Sequence, residues 1–164
     1  MERITDTHVF FWGGILSNWY PIKFKYKHFT FFNTEQAFMW EKAVYFGDMN
    51  IAEEIMKTPN PREAKKLGRK VINFNADTWT NISYQIMVDV NLAKFEQNRI
   101  LSHVLLSTES KIIVEASPND RIWGIGLHWS DDKCLDKSNW QGTNLLGKAL
   151  MDVRKELINK YNED

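Results

Sequence analysis

The chain has 164 residues, 43% of them hydrophobic, with 21 basic side chains against 21 acidic ones and one cysteine, Cys134. That length suits one domain with a real core, burying roughly 70% of the surface its unfolded chain exposes. The charge balance argues against a protein held to nucleic acid by bulk charge, a lone cysteine excludes an intramolecular disulfide, and no run approaches the ~20 apolar residues of a membrane span.

No signal-like segment opens the chain, so a reducing, cytoplasmic setting is expected. Residues 8 to 32 are rich in aromatics and read as extended, with a Gly13-Gly14 break and Pro21. Ile22 to Tyr26 alternates apolar with basic, the period of a half-buried strand, and His28 to Phe31 continues it after a turn. These predict a small antiparallel sheet. From Thr34 the period becomes helical: Asn33 can cap, Gln36 stands three residues later as in a capping box, and the helix should run to about Phe46. Short helices are predicted near 50–57 and 61–68, the second with Pro61 in its first turn and Gly68 at its end.

A long helix is predicted over 78–97, capped by Asp77, with Trp79, Ile82, Ile86, Val90 and Ala93 as its apolar stripe. A helix near 99–107 and a strand at Lys111–Glu115 follow. Residues 117–143 read as loops, and a last helix starts near Asn144 with Leu146, Ala149, Leu150, Val153 and Leu157 on its apolar face. The class is α+β: a compact single domain, helix-dominant, with a small antiparallel sheet.

Four constellations could carry chemistry. Glu35 and Lys42 lie seven residues apart, so they share a helix face about 20° apart in angle and ~10 Å apart along the axis. The lysine leans back toward the glutamate. Two charges on an otherwise apolar stripe with Met39 and Phe46 are costly unless paired, although Glu35 could simply complement the helix dipole while Lys42 reaches solvent. The loop Asn119-Asp120-Arg121-Ile122-Trp123-Gly124-Ile125-Gly126 offers backbone approach beside an aromatic wall, or an ordinary turn with a core tryptophan. Gly142-Thr143-Asn144 opens the last helix, where exposed amides suit a phosphate and an ordinary cap needs the same residues. Arg62, Lys65, Lys66, Arg69 and Lys70 could clamp phosphates or form a solvated face. The four histidines, at 8, 28, 103 and 128, show no metal-binding spacing, so no metal and no cofactor are expected.

The order and spacing of several segments resemble the NADAR (YbiA-like) family over about residues 9 to 160. They are Leu16-Ser17-Asn18-Trp19 with Pro21, Asn33 to Phe38 with Lys42, Pro61 to Ala64 with Gly68 and Arg69, and Ala93-Lys94-Phe95. Asn119-Asp120 with Trp123 to Gly126, and Asn144 to Gly147 with Leu150, Met151 and Arg154, complete the match. The resemblance implies an α+β N-glycosidase with Glu35 and Lys42 catalytic. It puts Asn18, Trp19, Arg69, Asn119, Asp120, Trp123, Gly124, Gly126, Asn144 and Gly147 on the substrate side.

The implied substrates are an early phosphoribosylamino-pyrimidine of riboflavin synthesis, or ADP-ribose on guanine in nucleic acid. The chain departs at Trp19, where members often have Phe, and at Gln36-Ala37, where they often have His-Tyr. Glu35 is a sensible acid or base, and Lys42 could stabilise an anion or attack an opened sugar aldehyde. The rival readings are a non-catalytic ADP-ribose-binding module, separated from the enzyme by turnover, and a nucleic-acid adaptor using residues 62–70, separated by salt dependence.

Overall fold

The computed structural model describes residues 2–163 and divides by its own contacts into two units. One is the continuous stretch Asn18–Asn98; the other joins the chain up to Ser17 with the chain from Arg99 onward. Among the described residues four strands come first, then five α-helices, a fifth strand and a sixth α-helix, an α+β fold dominated by helix.

The strands β1 (Glu2–Ile4) and β2 (His8–Phe11) belong to the split unit. In the continuous unit, β3 (Phe24–Tyr26) and β4 (Phe29–Phe31) form the expected antiparallel hairpin, Tyr26 opposite Phe29. Its two turn residues, Lys27 and His28, both sit at positive φ (48° and 71°), as a tight two-residue hairpin turn demands. Gln97 completes the outer edge like a missing strand: its Oε1 accepts from the Lys25 amide at 2.8 Å and its Nε2 donates to the Lys25 carbonyl at 2.6 Å.

Helix α1 (Thr34–Tyr45) starts as read, with the Asn33 side chain accepting from the Gln36 amide at 2.8 Å. The return arm differs: Gln36 Oε1 takes the Phe32 amide at 2.8 Å, one residue before the cap, while its Nε2 donates to the Ile55 carbonyl and ties in α2 (Met49–Met56). Helix α3 (Pro61–Gly68) is capped by Asn60 and begins at Pro61. Gly68 ends it for a packing reason, since a Cβ there would collide with the Met39 side chain of α1.

Helix α4 (Ala76–Glu96) starts two residues earlier than read. Asn75 is its cap, accepting from the Thr78 amide at 2.9 Å, and Asp77 merely sits in the first turn. Its buried face is also rotated. Ser83, Met87, Val90, Asn91 and Lys94 are buried, whereas Trp79, Ile82, Ile86 and Ala93 of the expected stripe are half-buried at the margin. Apolar periodicity missed this because the buried face carries an asparagine and a lysine.

The split unit adds α5 (Arg99–Leu106), β5 (Ile112–Glu115) and α6 (Leu145–Glu163). Its sheet runs β1-β2-β5, with β1 antiparallel to β2 but β2 parallel to β5, His8 opposite Ile112. The parallel pair was not legible, because no local signal couples residues so far apart. Two short 3₁₀ turns, Asp132–Leu135 and Lys137–Asn139, punctuate the long loop. Phe10, Val114, Ala116, Ile125, Leu127 and Cys134 form the core beneath it, with Trp129 and Trp140 against them. On α6, buried Arg154 donates to Thr108 Oγ1 and the Lys111 carbonyl, both at 2.8 Å, and fixes the turn into β5.

Candidate active site

The continuous unit gathers Asn18, Glu35, Lys42 and Arg69. The first turn of α1 is buried throughout, with Thr34 and Gln36 fully enclosed and Glu35 only 8% exposed. The Glu35 amide donates to the Asn18 carbonyl at 3.0 Å, so the segment ahead of the hairpin is laid against this turn. The Asn18 side chain donates to Met87 Sδ at 3.4 Å. Its Oδ1 is buried with no hydrogen-bond partner, as are Thr34 Oγ1 and Asn91 Oδ1. Buried polar atoms normally find partners, and their absence marks places where a ligand or water can bond.

Two turns further along, Lys42 is half-buried with its Nζ 4.5 Å from the centre of the Phe74 ring. Phe46 packs edge-on to Phe74 at 5.3 Å and leans on Trp79, which also meets Phe38. The lysine therefore stands in aromatic surroundings. Burial holds its ammonium below the usual lysine range; Glu35 opposes that shift, and the positive charge of Arg69 adds to it. A carboxylate and an exposed guanidinium thus both act on Lys42, an amine easier to deprotonate than usual. This is a pair able to move a proton, backed by a cation able to meet an anion.

Trp19 lies on the same unit's surface, 39% exposed, with the Arg62 guanidinium 5.9 Å from its ring.

The remaining predicted residues belong to the split unit, where most have bonds to make within the fold. Asp120 Oδ1 accepts the amides of Ile122 and Trp123 at 2.9 and 2.8 Å, a tight side-chain turn. Asn119 is exposed and Trp123 half-buried. A Cβ on Gly124 would sit 3.0 Å from two backbone carbonyls, and Gly126 adopts φ 72° with the Gln141 Cβ at 3.1 Å, so both glycines serve the loop's own packing.

The start of α6 is engaged rather than open. The amides of Thr143, Asn144, Leu145 and Leu146 donate to the carbonyls of Arg121, Gly124, Ile122 and Trp123. Asn144 Oδ1 accepts the Glu115 amide and its Nδ2 donates to the Ile113 carbonyl, both at 2.9 Å. Gly147 lets the helix close on the Ile113 carbonyl, where a Cβ would overlap. The free amides anticipated here for a phosphate are thus already bonded.

One residue entered the sequence reading only as part of a family segment. Lys94 of α4 is fully enclosed, its Nζ 4.8 Å from the Phe95 ring and 5.9 Å from that of Tyr20, and burial pushes its pKa down to about 7. The signal available for it was position, one heptad after Met87 on the same face.

Among the described residues no group of three or more His, Cys, Asp or Glu side chains could hold a metal ion, and no helix is long and apolar enough to cross a membrane.

The helix-dominant fold, whose first helix carries a buried carboxylate and a half-buried lysine of lowered basicity on which Arg69 also acts, places the chain in the α+β class. Within it, the chain belongs to the NADAR family, whose domain model matches residues 10–158. It is 41% identical over 165 residues to "N-glycosidase R617" of Acanthamoeba polyphaga mimivirus, covering 93% of this chain and 97% of that protein. It is also 41% identical over 174 residues to "Protein irg-1" of Caenorhabditis elegans, covering 95% and 82%. The NMR structure of the Escherichia coli protein YbiA superposes with a TM-score of 0.81 at 29% identity, covering 99% of this chain and 91% of that one.

Proposed function

We propose that the protein is an N-glycosidase that hydrolyses the bond between the anomeric carbon of a ribose phosphate or ADP-ribose and a base-like nitrogen. The observation that carries this reading is the charge coupling of Glu35, Lys42 and Arg69 on one unit. Membership of a family with a named N-glycosidase relative supports it. The continuous match over residues 10–158 supports treating 1–164 as one NADAR domain.

In the reaction the C1′–N bond breaks with its electron pair leaving on nitrogen, and water supplies a hydroxyl to C1′ and a proton to the leaving group. Glu35 takes the proton from water or gives one to the leaving nitrogen. Its buried position keeps bulk water from competing for that role. Lys42 holds developing negative charge, and Arg69 binds a substrate phosphate. Asn18 and Trp19 are proposed as further substrate contacts on the continuous unit; on the split unit Asn119, Asp120 and Trp123 are proposed as contacts, with Gly124, Gly126, Asn144 and Gly147 shaping the backbone of that loop and helix start. No metal or cofactor enters this scheme.

A product assay tests the reading. The protein is incubated with ADP-ribosylated guanosine, ADP-ribosylated DNA and the riboflavin-pathway phosphoribosylamino-pyrimidine, and released base is read by mass spectrometry. Release from at least one of them, absent in Glu35→Gln, is expected. Glu35→Gln and Lys42→Ala should each lower kcat by roughly 10²-fold or more, with the double variant hardly worse than the weaker single, since groups acting as a unit are not additive. Near-normal turnover in both singles would remove this assignment.

Lys42 has a second possible role that its lowered basicity favours, as a neutral amine that adds to C1′ while the base departs with a proton. The C1′–O4′ bond then opens, the nitrogen's remaining proton passing to O4′, and the Schiff base so formed is hydrolysed by water to the sugar and the free amine. Borohydride added during turnover should then leave the sugar on Lys42, read by peptide mass; no adduct, together with an inactive Lys42→Arg, assigns it to charge stabilisation instead.

A further inference from the structure

Residues 70–74 join the cap of α3 to the cap of α4, and this loop is braced at both ends. The Ile72 amide donates to Asp48 Oδ2 at 2.9 Å, while Asp48 Oδ1 caps α2 by accepting from the Ile51 amide at 3.1 Å. Asn73 turns the chain at φ 59°, a left-handed value that asparagine tolerates. Asn75 then caps α4. Phe74, between the two asparagines, is thus held in place although it is 45% exposed.

An apolar residue just before a helix cap commonly packs against the fourth helical residue and steadies the helix start. Here that residue is Trp79, and Phe46 lies between the two rings, 5.3 Å from Phe74 and 6.3 Å from Trp79. Such a staple asks only for apolar bulk. The Phe74 ring meets a charge as well: Lys42 Nζ lies 4.5 Å from its centre, inside the ~6 Å reach of a cation–π contact.

We propose that Phe74 is a positioning residue for Lys42: its ring, carried on a loop braced at both ends, holds the amine in place on the Glu35 face of α1 and covers it from water. This role rests on the reading of Lys42 as a catalytic group. The ring has two opposed effects. Its face attracts the ammonium, which favours the charged form by roughly half a pKa unit at a partly exposed site. Its bulk keeps water off the same amine, which disfavours the charged form, and burial of a lysine can be worth several units. With the ring in place Lys42 is held below the usual lysine range, burial being the largest cause, so cover from water outweighs attraction.

The charges acting on Lys42 are Glu35 of its own helix, which opposes that shift, and Arg69 at the cap of α3, which adds to it. Of the other elements packed on α1, α2 begins at Asp48, whose carboxylate is taken by the Ile51 and Ile72 amides. Helix α4 has the exposed Asp77 in its first turn, and β4 carries no titratable side chain.

The test is trace acetylation of the whole protein over about pH 7 to 11, read at the Lys42 peptide by mass, which gives the pH at which the amine loses its proton. Phe74→Ala should raise that midpoint by about half a pH unit or more, because water reaches the ammonium. Phe74→Leu keeps an apolar cover without a ring face, so its midpoint should lie at or below the parent's. Phe74→Tyr should restore the parent's midpoint. In turnover, Phe74→Ala should lower kcat about tenfold with KM within about twofold of the parent's, since a displaced amine harms the reacting geometry more than binding. The limb of the pH–rate profile that belongs to Lys42 should move up with the midpoint, whether the amine works neutral or charged.

An unchanged Lys42 midpoint in Phe74→Ala, at unchanged melting temperature, overturns the proposal. So does a Phe74→Leu midpoint as high as that of Phe74→Ala. A raised KM with kcat and midpoint intact makes Phe74 a substrate contact and overturns it too. If the parent turns over none of the substrates, the glycosidase reading fails, while the acetylation midpoints still decide whether Phe74 covers Lys42.

Discussion

Lys94 carries a consequence that can be measured without a substrate. Its folded pKa of about 7 lies well below the 10.5 of a free lysine. Between those two values the unfolded chain holds a proton that the folded chain has released, so folding becomes more favourable as pH rises through that window. Below about pH 7 both states are protonated, and the burial penalty on the charged form is felt in full. Urea unfolding of the parent should therefore give a higher stability near pH 9.5 than near pH 6.5, by something on the order of a kcal/mol or more. Lys94→Met should lose most of that pH dependence. A slope unchanged by the substitution would mean that the amine is charged throughout. The same logic makes Lys42 a weaker contributor, because Glu35 opposes its shift and part of the side chain is exposed.

Among the helices, two glycines make opposite predictions. Gly147 sits where α6 meets the Ile113 carbonyl of β5, a backbone atom that cannot swing aside, and its other neighbour is the Asn144 side chain that bonds the same strand. Gly147→Ala should cost about 3 kcal/mol or more despite alanine's better helix propensity, which recovers only about 1 kcal/mol. Gly68 faces Met39, whose thioether is the far end of a flexible side chain. Gly68→Ala should be near neutral in melting temperature, provided that Met39 finds another rotamer. Thermal melts of the two variants side by side check the contrast, and equal losses would contradict it.

Local chemistry made much of this scale readable in advance. Asn33 announces α1 and Pro61 announces α3, and the spacing of Glu35 and Lys42 puts both on one face of α1. Asn75 and Asp77 are both good caps two residues apart, so propensity alone could not choose between them. The β2–β5 pair and the engaged amides at Asn144 depend on segments that meet only in the folded chain. Arg69 stands in the basic run and in a family segment, but its bearing on Lys42 comes from the approach of α3 to α1 that Gly68 permits.

At the scale of the whole chain, the absence of a metal-binding cluster among the described residues sets an expectation for the glycosidase. Turnover should be indifferent to prolonged treatment with EDTA and to added zinc or magnesium. Activity lost to the chelator and restored by one ion would replace the acid–amine scheme with a metal-assisted one.

The split unit also bears on how the protein is made. His8 of β2 pairs with Ile112 of β5, so a strand already synthesised finds its parallel partner only after about a hundred further residues have been added. At about 5–20 residues per second on the ribosome, that gap lasts on the order of 5 to 20 seconds. Near the end of that interval the Asn18–Asn98 unit has its full complement of chain and can fold, whereas Val9, Phe10 and Phe11 still lack the strand that buries their backbone edge. Those apolar residues are where a nascent chain would be captured by chaperones or would aggregate, and the demand for protection falls when α6 closes over β5.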